Sequence, residues 1–284
     1  MSGLNRNIGF IGAGNMAEAI IGALIRSGLS HPDQIVAFDI HSERLADLRE
    51  RYGIISADGN FDVFLACDVV ILAVKPQFFR QAVDPVVTDP RYGVPSRKLI
   101  LSIIAGVSIR KMEELFYGPL GEKSRYFLPI IRVMPNTPAL VLTGISGLSA
   151  NFFSTPADIE TASTILKAMG KVIEFEEEAL DAVTAVSGSG PAYVFFLMEC
   201  MMEAAVREGL KPEHARELTV ETIRGAVRLF EESRESAESL RKKVTSPKGT
   251  TEAAFRVLEQ RNVRDAWIQA IAAAAARSRE LGKM

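Results

Sequence analysis

The residues most able to do chemistry near the start of the chain are glycines. Gly9-Phe10-Ile11-Gly12-Ala13-Gly14-Asn15-Met16-Ala17 contains G-x-G-x-x-A, set between a short apolar run and an amphipathic helical pattern. In that setting Gly12 permits a tight turn, Gly14 lets the backbone approach a pyrophosphate, and Ala17 keeps the helix close to a sheet. The start of the helix then offers free N–H groups and the positive end of its dipole to phosphate. Residues Ile11, Gly12, Ala13, Gly14, Asn15 and Met16 are therefore candidates for binding a dinucleotide. Asp39 follows Ala17 by 22 residues, where a carboxylate accepts from the ribose 2′-hydroxyl of NAD and repels a 2′-phosphate. His41, Ser42 and Arg44 come next, and an arginine there suits the 2′-phosphate of NADP. Both cofactors stay open on these residues.

Three further loops are expected at strand ends where a nicotinamide would run: Ala73-Val74-Lys75-Pro76, Ile104-Ala105-Gly106 and Met134-Pro135-Asn136-Thr137-Pro138. Small and proline-fixed loops let a flat ring lie against rigid backbone. The second half carries two more segments. Ser187-Gly188-Ser189-Gly190-Pro191 reads as a flexible, donor-rich turn. Ser246-Pro247-Lys248-Gly249-Thr250-Thr251-Glu252 leads into a helix, and its hydroxyls suit either helix capping or reception of a carboxylate. His31, His41, His214, Cys67 and Cys200 show no metal-ligand spacing, so no metal centre is expected.

The elements that must hold these residues are legible as periodic runs. Strands are predicted at Ile8–Ile11, Gln34–Asp39, Asp68–Val74, Leu99–Ile104 and Ile130–Met134, with helices at Asn15–Ser27, Ser42–Tyr52 and Gln77–Val87 between them. The runs around Ile71 and Ile103 are apolar without alternation, as in parallel strands covered on both faces. Ile145–Ala150 and Val172–Phe175, flanking a helix near Asp158–Met169, extend the sheet. The strand signal ends near Glu176. Helices are then predicted at Pro191–Glu208, from Pro212 to about Glu232, and at Ser236–Val244, Thr251–Arg261 and Val263–Leu281. The fold class is α/β: a Rossmann-type doubly wound sheet over residues 1–175, followed by an all-α domain over 176–284. Tyr193, Phe196, Leu197, Cys200, Met201 and Ala204 make the first long helix apolar over most of its circumference. That is more apolar surface than a domain of about 110 residues readily covers, so this domain is expected to pair with a second copy of the chain.

Composition narrows the function class. Apolar residues make up 48% and charged residues 24% of the 284, the mix of a soluble globular protein. Thirty-three basic residues against 35 acidic ones give a net charge of −2, without the basic surplus of a nucleic-acid binder. Two cysteines fit a reducing compartment. The N-terminal MSGLNRNIGF lacks secretory features, and Glu199 and Arg277 interrupt the greasiest stretches. A soluble, cytoplasmic protein is expected.

With these segments in order, the chain resembles the pyrroline-5-carboxylate reductase family over essentially its whole length. The resemblance is carried by IGAGNMAEAI, LAVKPQ, RVMPNTPALV, DAVTAVSGSGPAYVFF and VTSPKGTTEAAFRVLE. It implies hydride transfer from NAD(P)H to the C=N carbon of a five-membered cyclic imine, giving L-proline, in a homodimer or higher oligomer. It makes Ser246, Gly249, Thr250 and Thr251 substrate contacts, places Asn60 and the AVKP loop at the cofactor, and sets Glu177 beside the substrate. Thr251, facing the ring nitrogen, is the catalytic candidate. Members of that family often have glycine where this chain has Lys248. One rival is a 3-hydroxyacid dehydrogenase, but its catalytic lysine would fall in Ala192–Val206, which has neither lysine nor histidine. The other is an NAD(P)H-sensing regulator, which would carry a basic recognition element; the basic stretch Arg241-Lys242-Lys243 is short and reads as one solvated helix face.

Overall fold

A computed structural model of the chain describes residues 4–283. It divides into two compact units, residues 4–189 with 274–283, and residues 190–273.

The first unit is built on one eight-stranded sheet. Its strands are β1 (Ile8–Ile11), β2 (Ile35–Phe38), β3 (Ile55–Ser56), β4 (Val69–Leu72), β5 (Leu99–Ser102), β6 (Ile130–Met134), β7 (Gly144–Ala150) and β8 (Gly170–Glu174), in the order β3-β2-β1-β4-β5-β6-β7-β8. The first six run parallel; β7 is antiparallel to β6 and parallel to β8. The chain leaves β1 toward β2 on one side and comes back to place β4 on the other. The reversal of winding therefore lies between β1 and β4, where Ile11 is in register with Leu72. In open α/β sheets such a switch point opens a crevice at the carboxyl ends of the strands.

Both faces of this sheet are covered, which is why β1, β4 and β5 are buried along their whole length. One core layer joins α1 (Asn15–Arg26), α2 (Ser42–Tyr52) and α7 (Pro156–Lys167) to the sheet through Ile20, Leu24, Leu48 and Ile165. The opposite layer joins α3 (Asn60–Ala66), α4 (Phe79–Val87) and α5 (Ile109–Tyr117) through Phe64, Val83, Met112 and Phe116. A short α6 (Glu122–Arg125) leads into β6. The helix ends follow local chemistry: Gly53 closes α2 in the left-handed region at φ 73°, and the Ser108 hydroxyl accepts from the Lys111 N–H to open α5. β3, α3 and α5 were not among the predicted elements.

Residues 187–191 are not a flexible turn. After α8 (Leu180–Val183) a single π-type turn, Thr184–Gly188, continues the helix directly into α9 (Gly190–Arg207). The Ser187 hydroxyl, one of those that suggested a turn, instead donates back along the helix to the Val183 carbonyl at 2.9 Å, as the preceding Thr184 does to the Leu180 carbonyl at 2.7 Å.

The second unit is all helix: α9, α10 (Pro212–Ser233), α11 (Ala237–Lys243), α12 (Thr250–Gln260) and the first part of α13 (Val263–Lys283). The short 208–211 connection folds α9 and α10 into an antiparallel pair. Few of its apolar side chains find cover within one copy. Phe195 and Phe196 on α9, and Leu218, Val227 and Phe230 on α10, are each about half exposed or more.

Candidate active site

The glycine turn sits at the β1/β4 switch point and is pinned from both sides. The Gly12 N–H donates to the Phe38 carbonyl at 2.8 Å, and the Ala73 N–H donates to the Ile11 carbonyl at 2.8 Å. Gly12 has φ +94°, and a Cβ there would stand 2.8 Å from the Ala73 carbonyl oxygen. Only glycine fits both the dihedral and the gap. Gly14 caps α1 in an extended conformation without a side-chain cap, and nothing lies within 4 Å of where its Cβ would be. The N–H groups of Asn15, Met16 and Ala17 have no acceptor inside the helix. An open, donor-rich helix start beside a constricted glycine turn fits a pyrophosphate.

The other predicted cofactor loops lie in the same unit. Asp39, just past β2, accepts from the Ala13 N–H at 2.7 Å. Ala73 and Val74 follow β4 against Gly12; Lys75 is exposed, and Pro76 opens a short 3-10 turn. Beyond β5, Ile104 is buried, and Gly106 at φ +77° abuts Leu281 and Gly282 of α13. Asn60 starts α3 and its amide donates to the Ala82 carbonyl of α4 at 2.9 Å. After β6, the buried Asn136 accepts from the Ile145 N–H at 2.9 Å, tying the proline-rich loop to the start of β7. Met134 meets Gly188 of the π turn, whose Cβ, if present, would stand 2.5 Å from the methionine Cε.

Glu177 lies in a charged cluster. Arg132, on β6 and 6% exposed, donates to Glu177 at 3.0 Å and reaches Asp181 at 3.5 Å. The same Glu177 oxygen accepts from the Ile109 N–H at the start of α5, at 2.7 Å, and Asp181 accepts from the Ser278 hydroxyl of α13 at 2.6 Å. Sequence reasoning missed Arg132, Asp181 and Ser278. The available signal was the lone cation in Ile130-Ile131-Arg132-Val133-Met134, because an arginine in a strand covered on both faces needs carboxylate partners.

In the second unit the hydroxyl-rich segment forms the start of α12. Gly249 is its N-cap, with no side-chain cap, and donates its N–H to the Ser246 carbonyl at 3.0 Å. A Cβ on Gly249 would collide with the Ser246 hydroxyl oxygen. Lys248 is exposed at φ +61°, and its N–H donates to Glu252 at 2.8 Å. Neither Ser246 nor a threonine supplies the cap, so the hydroxyls around this helix start are not consumed by capping. Among the described residues no group of three or more histidines, cysteines or acids is placed to hold a metal ion.

Comparison with known proteins decides the family. The family described as pyrroline-5-carboxylate reductase dimerisation matches residues 177–281, and that described as NADP oxidoreductase coenzyme F420-dependent matches residues 7–106. The pyrroline-5-carboxylate reductase of Pseudomonas aeruginosa is 40% identical over 97% of this chain and 97% of its own. Pyrroline-5-carboxylate reductase 2 of Bacillus subtilis is 37% identical over 97% of this chain and 95% of its own. The pyrroline carboxylate reductase of Plasmodium falciparum, solved with NADP bound, superposes with a TM-score of 0.87 at 27% identity, covering 99% of this chain and all of that one. The chain belongs to the pyrroline-5-carboxylate reductase family. The 7–106 match falls within the sheet unit, the 177–281 match takes in the whole helical unit together with residues of the sheet unit on either side of it in sequence, and the α/β fold class read from the sequence holds. At Lys248, where the resemblance implies glycine, the backbone is left-handed, the conformation for which glycine is the usual choice.

Proposed function

We propose that this pyrroline-5-carboxylate reductase takes hydride from NAD(P)H onto the C=N carbon of 1-pyrroline-5-carboxylate, giving L-proline, the last step of proline synthesis. The observation that carries the reading is the presence, in one chain, of an uncapped helix start behind a constricted glycine turn and a second uncapped helix start ringed by hydroxyls. The first suits a pyrophosphate; the second suits a small carboxylate.

A bound nicotinamide supplies the hydride. The protein's own residues bind, orient and handle a proton. Ile11, Gly12, Ala13, Gly14, Asn15 and Met16 cradle the pyrophosphate, Asp39 meets the adenosine ribose, and Asn60, Ala73, Val74, Lys75, Pro76, Ile104, Ala105 and Gly106 line the remaining length. The N–H groups around Gly249, Thr250 and Thr251, with the Ser246 hydroxyl, hold the substrate carboxylate; Glu177 belongs to the substrate side. The Thr251 hydroxyl faces the ring nitrogen and orients or passes the proton that balances the incoming hydride. No nucleophile is required, since catalysis rests on holding two carbons at attack distance.

Residues 1–175 form the cofactor domain and 176–284 the substrate and dimer domain in this reading. The helix Glu177–Arg207 is long and apolar enough to cross a membrane by length and composition. Its half-exposed phenylalanines, together with Phe230 of α10, are read as the surface that pairs two copies in a soluble, cytoplasmic enzyme without nucleic-acid partners. Thr251→Ala tests the chemistry: imine-dependent oxidation of the reduced nicotinamide should lose at least several-fold in kcat/KM while the thermal midpoint holds. An unchanged kcat/KM removes Thr251 from the mechanism.

A further inference from the structure

We infer that the adenosine end of the cofactor site selects NADH over NADPH, an inference that rests on the reductase reading above and narrows its cofactor. The two residues left in competition by the sequence, Asp39 and Arg44, have unequal freedom in the fold.

Asp39 is held in place without being used up. Its Oδ2 accepts from the Ala13 N–H at 2.7 Å and its Oδ1 from the His41 N–H at 2.9 Å. A carboxylate accepts about four hydrogen bonds, so each oxygen keeps capacity for a ribose hydroxyl. A 2′-phosphate would bring like charge to the same place.

Arg44 is committed elsewhere. Its Nε donates to the Ala13 carbonyl at 2.9 Å, one terminal nitrogen donates to Asp47 at 3.0 Å, and the other pairs with Glu18. Glu18 also takes Arg51 at 2.6 Å and the Tyr52 hydroxyl at 3.1 Å. Burial would raise the Glu18 carboxyl, but Arg44, Tyr52 and Arg51 outweigh it and hold it below its ordinary value. Within this cluster two guanidinium groups are answered by two carboxylates, which leaves the charge of Asp39 unmatched. Glu43 adds another acid in the first turn of α2. Ile40, directly after Asp39 and 71% exposed, offers a phosphate nothing.

The backbone of Ala13 is thus clamped on both sides, its N–H by Asp39 and its carbonyl by Arg44. Arg44 is a positioning residue for the glycine turn rather than a phosphate ligand. To bind a 2′-phosphate it would have to leave two carboxylates and release the turn that holds the pyrophosphate.

The test is direct binding of NADH and NADPH to the full chain without imine, by calorimetry or nicotinamide fluorescence. NADH should bind at least about tenfold more tightly, the penalty for placing like charges together. Arg44→Gln should weaken both dinucleotides alike, keeping their ratio within about twofold, and should raise KM for NADH while leaving kcat near wild type. Arg44→Lys, which retains one donor for the Ala13 carbonyl, should recover part of the loss. Asp39→Asn should shrink the NADH preference by at least about fivefold. If a variant fails to fold, competition between ADP-ribose and its 2′-phosphorylated form on the unaltered chain gives the same ratio. NADPH binding as tightly as NADH, or Arg44→Gln weakening NADPH alone, overturns the inference. Because the ratio is measured without imine, its failure leaves the reductase reading standing; absent imine reduction with both cofactors would sink that reading and leave the ratio intact.

Discussion

Lys248 offers the sharpest perturbation of the turn proposed to bind substrate. Its φ of +61° puts an L-residue in the left-handed region, which costs about 1–2 kcal/mol because Cβ crowds the following carbonyl oxygen. Glycine removes that cost but loses about 0.5–1 kcal/mol in backbone entropy. Lys248→Gly should therefore stabilise the protein by about 0.5–1 kcal/mol, a rise of about 1–3 °C in Tm for a chain of this size. The backbone bond from residue 248 to Glu252, which shapes the start of α12, needs no side chain and survives the change. The ammonium is exposed, so its charge should contribute little to holding the substrate carboxylate, and KM for 1-pyrroline-5-carboxylate should move by less than about twofold. Lys248→Asn separates the effects, since asparagine tolerates the left-handed region and carries no charge. The assay pairs thermal unfolding with initial rates of nicotinamide oxidation. A lower Tm for Lys248→Gly would refute the strain argument, and a tenfold rise in KM for both variants would show that the ammonium binds substrate.

Other consequences follow from the same geometry. Gly12→Ala forces a Cβ to 2.8 Å from the Ala73 carbonyl oxygen at a positive φ; it should cost at least about 2 kcal/mol in stability and more than about tenfold in dinucleotide affinity, measured by urea unfolding and calorimetry. Arg132→Met leaves Glu177 and Asp181 without their cation and should destabilise by about 2–4 kcal/mol in urea, with Glu177→Gln in the same chain returning part of it. Acid should weaken the fold through Glu18 and Asp158. Burial would raise both carboxyls, but the arginine and hydroxyl bonds prevail and hold each below its ordinary value. A depressed carboxyl stabilises fully above its unfolded value and loses that contribution as pH falls through the folded one. The urea midpoint should therefore be flat near neutrality and decline below about pH 4.5, with Arg97→Gln, which unpairs Asp158, making that decline shallower.

Much of this architecture was legible in the residues because it rests on local rules. Ile8–Ile11, the glycine turn and α1 follow from an apolar run, two glycines and a helical period. Gly53 after α2 and Pro212 opening α10 mark helix ends by backbone chemistry alone. β3 and α3 were hidden because two- and seven-residue elements are too short to set up a period. The segment 187–191 misled for a different reason: its Gly, Ser and Pro content signals a turn, yet the Ser187 hydroxyl satisfies a helix carbonyl and Gly188 fits against Met134. At the site, the residue types of the 246–252 segment were visible, but the choice between capping and reception was not. That choice depends on Gly249, rather than a hydroxyl residue, occupying the N-cap. The commitment of Arg44 was equally beyond a linear reading, because it turns on Glu18, which the fold brings from α1 to the guanidinium beside Asp47, its neighbour one turn along α2.

The most direct measurement mixes the purified chain with 1-pyrroline-5-carboxylate and reduced nicotinamide, following the cofactor's absorbance while quantifying L-proline. The account predicts imine-dependent loss of NADH, with one proline formed for each NADH consumed. No imine-dependent loss with either NADH or NADPH, from a chain that binds the dinucleotide normally, would contradict it.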